Sequence, residues 1–150
     1  MSTEPTMPEI MARMGRLTAY AIFIRPTDKY NTESDEGREL MRRHLLFQLD
    51  MQDSGVLLAA GPIDGGGSAS TLDKYTSNAP MTPGRLIDAS GMYFIVAPSR
   101  EAAEAIAASE PFEAAGWRTH TLCQWMVNEG TALPLLREML AKQETEGAKT

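Results

Sequence analysis

Two histidines are the side chains of this sequence best suited to proton transfer at neutral pH, because the pKa of a free imidazole is about 6.5. His44 lies in RRHLLFQLDMQD, where apolar residues recur at helical spacing. On a helical projection His44 falls in the middle of the apolar side, and Gln48 lies one turn further along the same side. The pattern therefore predicts an inward-facing imidazole that needs a hydrogen-bond partner.

Helical spacing leaves two interpretations of His44 open. In the first, it is a core histidine whose ring is satisfied by a backbone carbonyl or by Gln48. In the second, it is a general acid and base that faces a cleft. The spacing alone does not distinguish a sealed core from a cleft.

The second histidine, His120, lies in WRTHTLCQWMV at 117–127, which reads as a strand. Strand alternation places His120 on the same side as Arg118 and Gln124. His120 could line the same cleft, serve a structural contact or lie at an interface. The spacing of the two histidines matches no metal-ligand motif, so we predict no metal site.

Composition restricts the class of protein. The net charge of −6 argues against a nucleic-acid partner, which would require a basic face. The sequence has no apolar run of membrane-spanning length, and the N-terminal residues do not resemble a secretory signal peptide. The single cysteine excludes an intramolecular disulfide. We therefore expect a soluble cytoplasmic protein with no nucleic-acid or membrane partner.

The order of the elements predicts the fold class. Apolar and β-branched runs predict four strands, at 17–25, 56–62, 91–97 and 117–127, and amphipathic patterns predict helices at 36–53, 99–109 and 131–144. This βαββαβ order is typical of a ferredoxin-like α+β fold with an antiparallel four-stranded sheet and, here, an added C-terminal helix. We expected the second strand to be covered on both faces.

The chain divides into three predicted segments. Residues 1–16 are expected to be a flexible N-terminal tail, and 129–150 to be a C-terminal helix and tail. The domain itself spans 17–128 and contains a Gly-, Ser- and Pro-rich loop insertion at 62–90, which could form a lid. If both internal helices cover one sheet face, the other face is bare in a monomer, so we expect a homodimer that packs sheet against sheet.

Three stretches together resemble the YCII-related (YciI-like) proteins. They are RRHLLFQLDMQDSGVLLAAGP, GMYFIVAPSREAAEAIAASEPFEAAGW and the closing QW, within residues 18–127. The resemblance implies a dimeric α+β barrel, related in shape to muconolactone isomerase, with a His–acid pair in a cleft. Family members of known activity include a dehydrochlorinase of chlorinated hydroxyquinols.

The resemblance places the family's histidine on His44 and its acid on Glu110. Glu110 departs from the usual aspartate, and the extra methylene puts in doubt whether the carboxylate meets the imidazole. Met92 stands where relatives often carry serine, and the 62–90 insertion is longer than usual. If the pair forms, the carboxylate would fix the imidazole tautomer and stabilise the imidazolium.

We therefore expect a cofactor-free enzyme that moves protons on a cyclic or aromatic metabolite, as an isomerase or a dehydrohalogenase-type lyase. The expected catalytic residues are His44 and Glu110. The expected substrate-binding residues are Gln48, Gly61, Pro62, Gly91, Arg118 and His120. Two alternatives remain: a non-catalytic module that binds a small-molecule ligand, and a protein that docks a partner through its C-terminal helix.

Overall fold

The computed structural model describes residues 4–64 and 89–148. In chain order the elements are α1 (Met7–Ala12), β1 (Leu17–Pro26), α2 (Asp35–Asp53), β2 (Leu57–Pro62), β3 (Gly91–Ile95), α3 (Arg100–Ser109), α4 (Pro111–Ala114), β4 (Arg118–Val127) and α5 (Leu133–Ala148). The four strands form one sheet in the order β2-β3-β1-β4, and every neighbouring pair is antiparallel. This is the predicted ferredoxin-like α+β architecture, and the expectation is confirmed.

The first face of the sheet is covered by α2 and α3. Alternation along β1 places Tyr20 and Ile22 on this face, and Ile22 lies opposite Tyr93 of β3 and Leu122 of β4. All four are buried in one apolar cluster, which also receives Met51 from α2. Because strand side chains alternate between faces, this register decides which residues meet the helices.

The second face of the sheet is partly covered by α5. Leu133, Leu136 and Met139 of α5 pack against Ala19 and Val127, which lie on that face. The predicted C-terminal helix is therefore present, but its apolar side is buried within its own chain. The face that we expected to be bare in a monomer is bare only where α5 does not reach.

Other details differ from the sequence-based expectations. Residues 7–12, which were expected to belong to an irregular tail, form α1, whose N-terminus is closed by a capping box between Thr6 and Glu9. The second strand is an edge strand with exposed residues from Ala59 to Pro62, not a strand covered on both faces. Residues 111–116, PFEAAG, read as a tight turn into the last strand, but residues Pro111–Ala114 form the one-turn helix α4.

Most of the insertion predicted at 62–90 lies outside the described residues, and its role as a lid stays a prediction. Within residues 4–64 and 89–148, no helix is both long and apolar enough to cross a membrane.

The start of α2, the helix that carries His44, depends on the close approach of Gly37 to the preceding loop. The Ser34 hydroxyl accepts a hydrogen bond from the Gly37 N–H at 3.0 Å, which caps the helix. A β-carbon at Gly37 would lie only 1.8 Å from the Asn31 carbonyl oxygen. The loop can therefore pack against this turn only if residue 37 has no side chain.

We expect Gly37→Ala to lower the free energy of unfolding by about 2 kcal/mol, the usual cost of overpacking. Urea denaturation measures this change. Gly61→Ala is the matched control, because a β-carbon at Gly61 would meet nothing within 4 Å. A Gly37→Ala protein as stable as the native chain would contradict the prediction.

Candidate functional site

His44, in the middle of α2, meets Glu110, which lies between α3 and α4. His44 Nδ1 lies 2.7 Å from Glu110 Oε1, although the residues are 66 positions apart in the chain. The imidazole is 15% exposed and the glutamate side chain 3% exposed. The glutamate therefore reaches the imidazole despite its extra methylene.

The position of Glu110 follows from the proline after it. Pro111 disfavours helical geometry at the preceding residue, and Glu110 adopts the extended values φ −58° and ψ 132°. This ends α3 and makes Glu110 the N-cap of α4, where its Oε2 accepts a hydrogen bond from the Glu113 N–H at 3.0 Å. One carboxylate oxygen thus holds the helix start and the other holds His44.

Glu110 is an anion in spite of its burial. Burial raises the pKa of the Glu110 carboxyl, but the hydrogen bond from His44, the electrostatic attraction of the His44 ring and of the Arg118 guanidinium, and the hydrogen bond from the Glu113 N–H all lower it. Together these interactions hold the pKa of Glu110 below its usual value. A carboxylate can only accept, so His44 Nδ1 carries the hydrogen. In the neutral imidazole Nε2 is then the basic nitrogen.

Arg118 is buried beside this pair. Its guanidinium lies 4.3 Å from the centre of the Phe112 ring and 5.1 Å from that of Tyr30, and its Nη2 donates to the Tyr30 hydroxyl at 3.1 Å. Such stacking on aromatic faces keeps a guanidinium planar and oriented. Arg118 therefore supplies a fixed positive charge next to the Glu110 carboxylate.

His44 and Arg118 line a cavity of about 420 Å³ between α2 and the β2–β3 edge of the sheet. This volume lies within the range of small-molecule sites. Apolar side chains of α2 and the sheet form most of its wall. Of the residues expected to bind substrate, five line it: Gln48, Gly61, Pro62, Gly91 and Arg118.

The sixth expected substrate-binding residue, His120, does not line this cavity. Its ring lies between Glu113 Oε1, at 2.8 Å from Nδ1, and Glu104 Oε2, at 2.6 Å from Nε2. Strand alternation placed His120 on the correct side of β4, but α3 and α4 cover it there.

One polar group at the cavity, the Tyr93 phenol, was not recognised in the sequence. Tyr93 lies on the wall, and burial, followed by the charges of Glu110 and Glu113, raises the pKa of its phenol so that it stays neutral. Alternation in GMYFI already places Tyr93 on the helix side. The expected substrate-binding residue Gln48 contributes its Oε1 atom, which is buried and has no hydrogen-bond partner among the described residues.

In the described ranges, no group of three or more His, Cys, Asp or Glu side chains could hold a metal ion.

Comparison with known families identifies the family of this chain. The family model for the YCII-related domain matches residues 18–125, which is most of the chain. The chain belongs to the YCII-related family. The matched span includes both members of the His44–Glu110 pair, and the resemblance seen in the sequence is confirmed.

Comparison with individual proteins adds little. No curated protein is similar enough to the chain to count as a match. One solved structure with a similar fold is 5-chloro-2-hydroxyhydroquinone dehydrochlorinase from Burkholderia phenoliruptrix AC1100, in complex with 2,5-dihydroxybenzoquinone. The identity is 15% and the TM-score 0.47, and the match covers 71% of this chain and 92% of that one. Similarity at this level does not extend to activity.

Proposed function

We propose that this YCII-related protein catalyses cofactor-free proton transfer on a small cyclic or aromatic compound, as an isomerase or a dehydrohalogenase-type lyase. The observation that supports the proposal is the 2.7 Å contact between the buried Glu110 carboxylate and a histidine that lines a cavity. A histidine that only filled the core would have no reason to reach a cavity wall.

Each polar group has a definite part in this proposal. His44 Nε2 takes a proton from an acidic carbon or hydroxyl of the substrate, and Glu110 stabilises the imidazolium that results. Arg118 stabilises the substrate anion, and Gln48 and the neutral Tyr93 phenol offer hydrogen bonds. An isomerase returns the proton to another carbon, whereas a lyase expels halide from the anion. The exposed strand end at Gly61 and Pro62 supplies the backbone wall of the site.

The test is hydrogen exchange into a panel of compounds in D₂O, followed by proton NMR. The panel contains an unsaturated five-membered lactone, a hydroxyquinol, its chlorinated analogue and a phenolic acid. We expect exchange or turnover of at least one compound. Binding without exchange would favour the non-catalytic ligand-binding module. If no compound binds and none exchanges, the result counts against the enzyme and against the ligand-binding module. The partner-docking alternative would then remain, although the internal burial of the α5 apolar side disfavours it.

We also propose that the chain forms a homodimer through the part of the second sheet face that α5 leaves open. Trp125 lies there, 41% exposed, and its ring centre is 5.1 Å from that of Phe94 on the neighbouring part of the sheet. Cys123, two residues earlier on the same face, is also exposed. An apolar aromatic surface of this kind favours burial by a second copy.

Trp125→Glu should convert the dimer to a monomer, because dimer formation would bury the new charge. Light scattering coupled to size-exclusion chromatography measures the mass. Met126→Glu is the matched control: Met126 is 57% exposed on the adjacent position of β4, and its side chain points to the opposite face. The dimer proposal is overturned if the native protein is monomeric at high concentration.

A further inference from the structure

His120 makes the second histidine–carboxylate cluster of the molecule, and the proposed reaction does not use it. Its side chain is 14% exposed on the first face of the sheet. Glu104 of α3 lies 2.6 Å from Nε2 and Glu113 of α4 lies 2.8 Å from Nδ1. Three elements therefore converge on one ring.

Two carboxylates on one imidazole require a doubly protonated ring. A neutral imidazole has one N–H, so its other nitrogen would turn a lone pair toward carboxylate lone pairs. The imidazolium instead donates to both sides through charge-assisted hydrogen bonds. Burial lowers the pKa of His120, but the hydrogen bonds and charges of Glu104 and Glu113 outweigh it, so the pKa lies above the usual value.

The cluster is joined to the candidate active site through α4. The Glu113 side chain accepts from His120, while the Glu113 backbone N–H donates to Glu110 Oε2. The other oxygen of Glu110 contacts His44 Nδ1. The side chain and the backbone of Glu113 thus join two sets of hydrogen bonds, and the linked groups come from α2, α3, α4 and β4.

We propose that His120, held as an imidazolium between Glu104 and Glu113, is a positioning residue that holds α4 in place and with it the Glu110 carboxylate that orients His44. Helix α4 has four residues, too few to be stable without tertiary contacts. The three side chains of His120, Glu104 and Glu113, here called the clamp, anchor α4 to α3 and β4. The importance of the clamp for catalysis rests on the proposed function, whereas its effect on Glu110 and His44 does not.

Besides Glu104 and Glu113, the charged groups nearby include the Glu110 carboxylate, which accepts from the Glu113 N–H, and two arginines. Arg118 lies two residues earlier on the same side of β4, and Arg100 of α3 donates to the Leu122 carbonyl at 3.2 Å. Strand β1 contributes the neutral Ile24 opposite His120. Both arginines disfavour a third positive charge, so the two contacting carboxylates must maintain the imidazolium.

The sign of the pH dependence follows from the raised pKa of His120. The clamp is complete below the ordinary histidine pKa of about 6.5 and is lost as the pH rises through the folded-state pKa. Alkaline solution should therefore loosen α4, and the Glu110–His44 hydrogen bond should weaken over the same pH range.

The test is a pH titration of the full chain labelled with ¹⁵N at histidine, observed by long-range ¹H–¹⁵N correlation. The chain has only two histidines, so two rings are observed. We expect both nitrogens of His120 to be protonated at neutral pH. As His120 titrates, the His44 ring signals should show a transition with the same midpoint. Glu104→Gln should lower both midpoints together.

Glu101→Gln is the matched control, because Glu101 is exposed in the first turn of the same helix and its loss also weakens α3. This variant should move neither midpoint. Glu113→Gln, which keeps the backbone N–H to Glu110, serves as a second variant should Glu104→Gln unfold.

The proposal is overturned if one His120 nitrogen is unprotonated at neutral pH. It is also overturned if the His44 signals ignore the His120 titration. No substrate is needed, so failure of the exchange assay would leave this test intact.

Discussion

Glu110→Ala is expected to lower the free energy of unfolding by about 3 kcal/mol at neutral pH. The substitution removes the acceptor for His44 Nδ1 and for the Glu113 N–H, and it leaves Arg118 buried without the neighbouring carboxylate. Losing one member of a buried charged pair typically costs this much, because the remaining polar groups stay desolvated. Urea denaturation at neutral pH measures the difference.

The effect of Glu110→Ala should depend on pH. The folded-state pKa of Glu110 is lowered, so its contribution is present above the ordinary carboxyl pKa of about 4.3 and is lost as the pH falls through the folded-state value. The stabilities of native and variant proteins should therefore converge in acid. Glu101→Ala removes an exposed carboxylate from α3 and should cost about 0.5 kcal/mol or less. A gap between native and Glu110→Ala that widens in acid would contradict the assignment of Glu110 as a buried anion.

His44→Asn is expected to slow hydrogen exchange into an accepted substrate by roughly 10² to 10⁴, the usual contribution of a general base. Asparagine has no nitrogen that takes up a proton near neutral pH, so it cannot replace Nε2. Stability should fall by only about 1 kcal/mol, because the asparagine amide N–H can take the place of Nδ1 and still donate a hydrogen bond to the buried Glu110 carboxylate. Proton NMR in D₂O and thermal denaturation measure the two effects.

The same variant separates the two interpretations of His44. A purely structural histidine predicts an unchanged exchange rate with a stability loss of about 1–3 kcal/mol. Arg43→Asn is the matched control, because Arg43 is the preceding residue on α2 and is exposed. It should change neither the exchange rate nor the stability appreciably. Unaltered exchange in His44→Asn would remove His44 from the proposed mechanism.

Local geometry can be read from the amino-acid sequence alone, and it accounts for several features. The helical period of α2 places His44 and Gln48 on one side, and both line the cavity. Pro111 disfavours helical geometry at Glu110, which agrees with the predicted end of the helix at 109 and with the observed end of α3 at Ser109. Strand alternation placed His120 on the side of β4 that it occupies, and the order of the elements was sufficient to predict the fold class.

Other features depend on contacts between residues far apart in the chain, and these could be read only from the folded protein. The second strand looked covered on both faces because its residues are apolar, yet the sheet order makes it an edge. The apolar side of α5 could have met another chain as well as its own, and the fold places it on Ala19 and Val127. Hydrophobic patterning shows that an apolar face of a helix or strand must be buried, but it does not show which element buries that face.

The two histidines show the same division. His44 was expected to face inward from its helix, and His120 was expected on the side of its strand that carries Arg118 and Gln124. Their partners come from α3 and α4, elements whose docking on the sheet is set by packing. As a result, His44 contacts one carboxylate and lines the cavity, whereas His120 contacts two carboxylates and does not line the cavity. Periodicity determines the direction of a side chain, but what it meets depends on where the other elements pack.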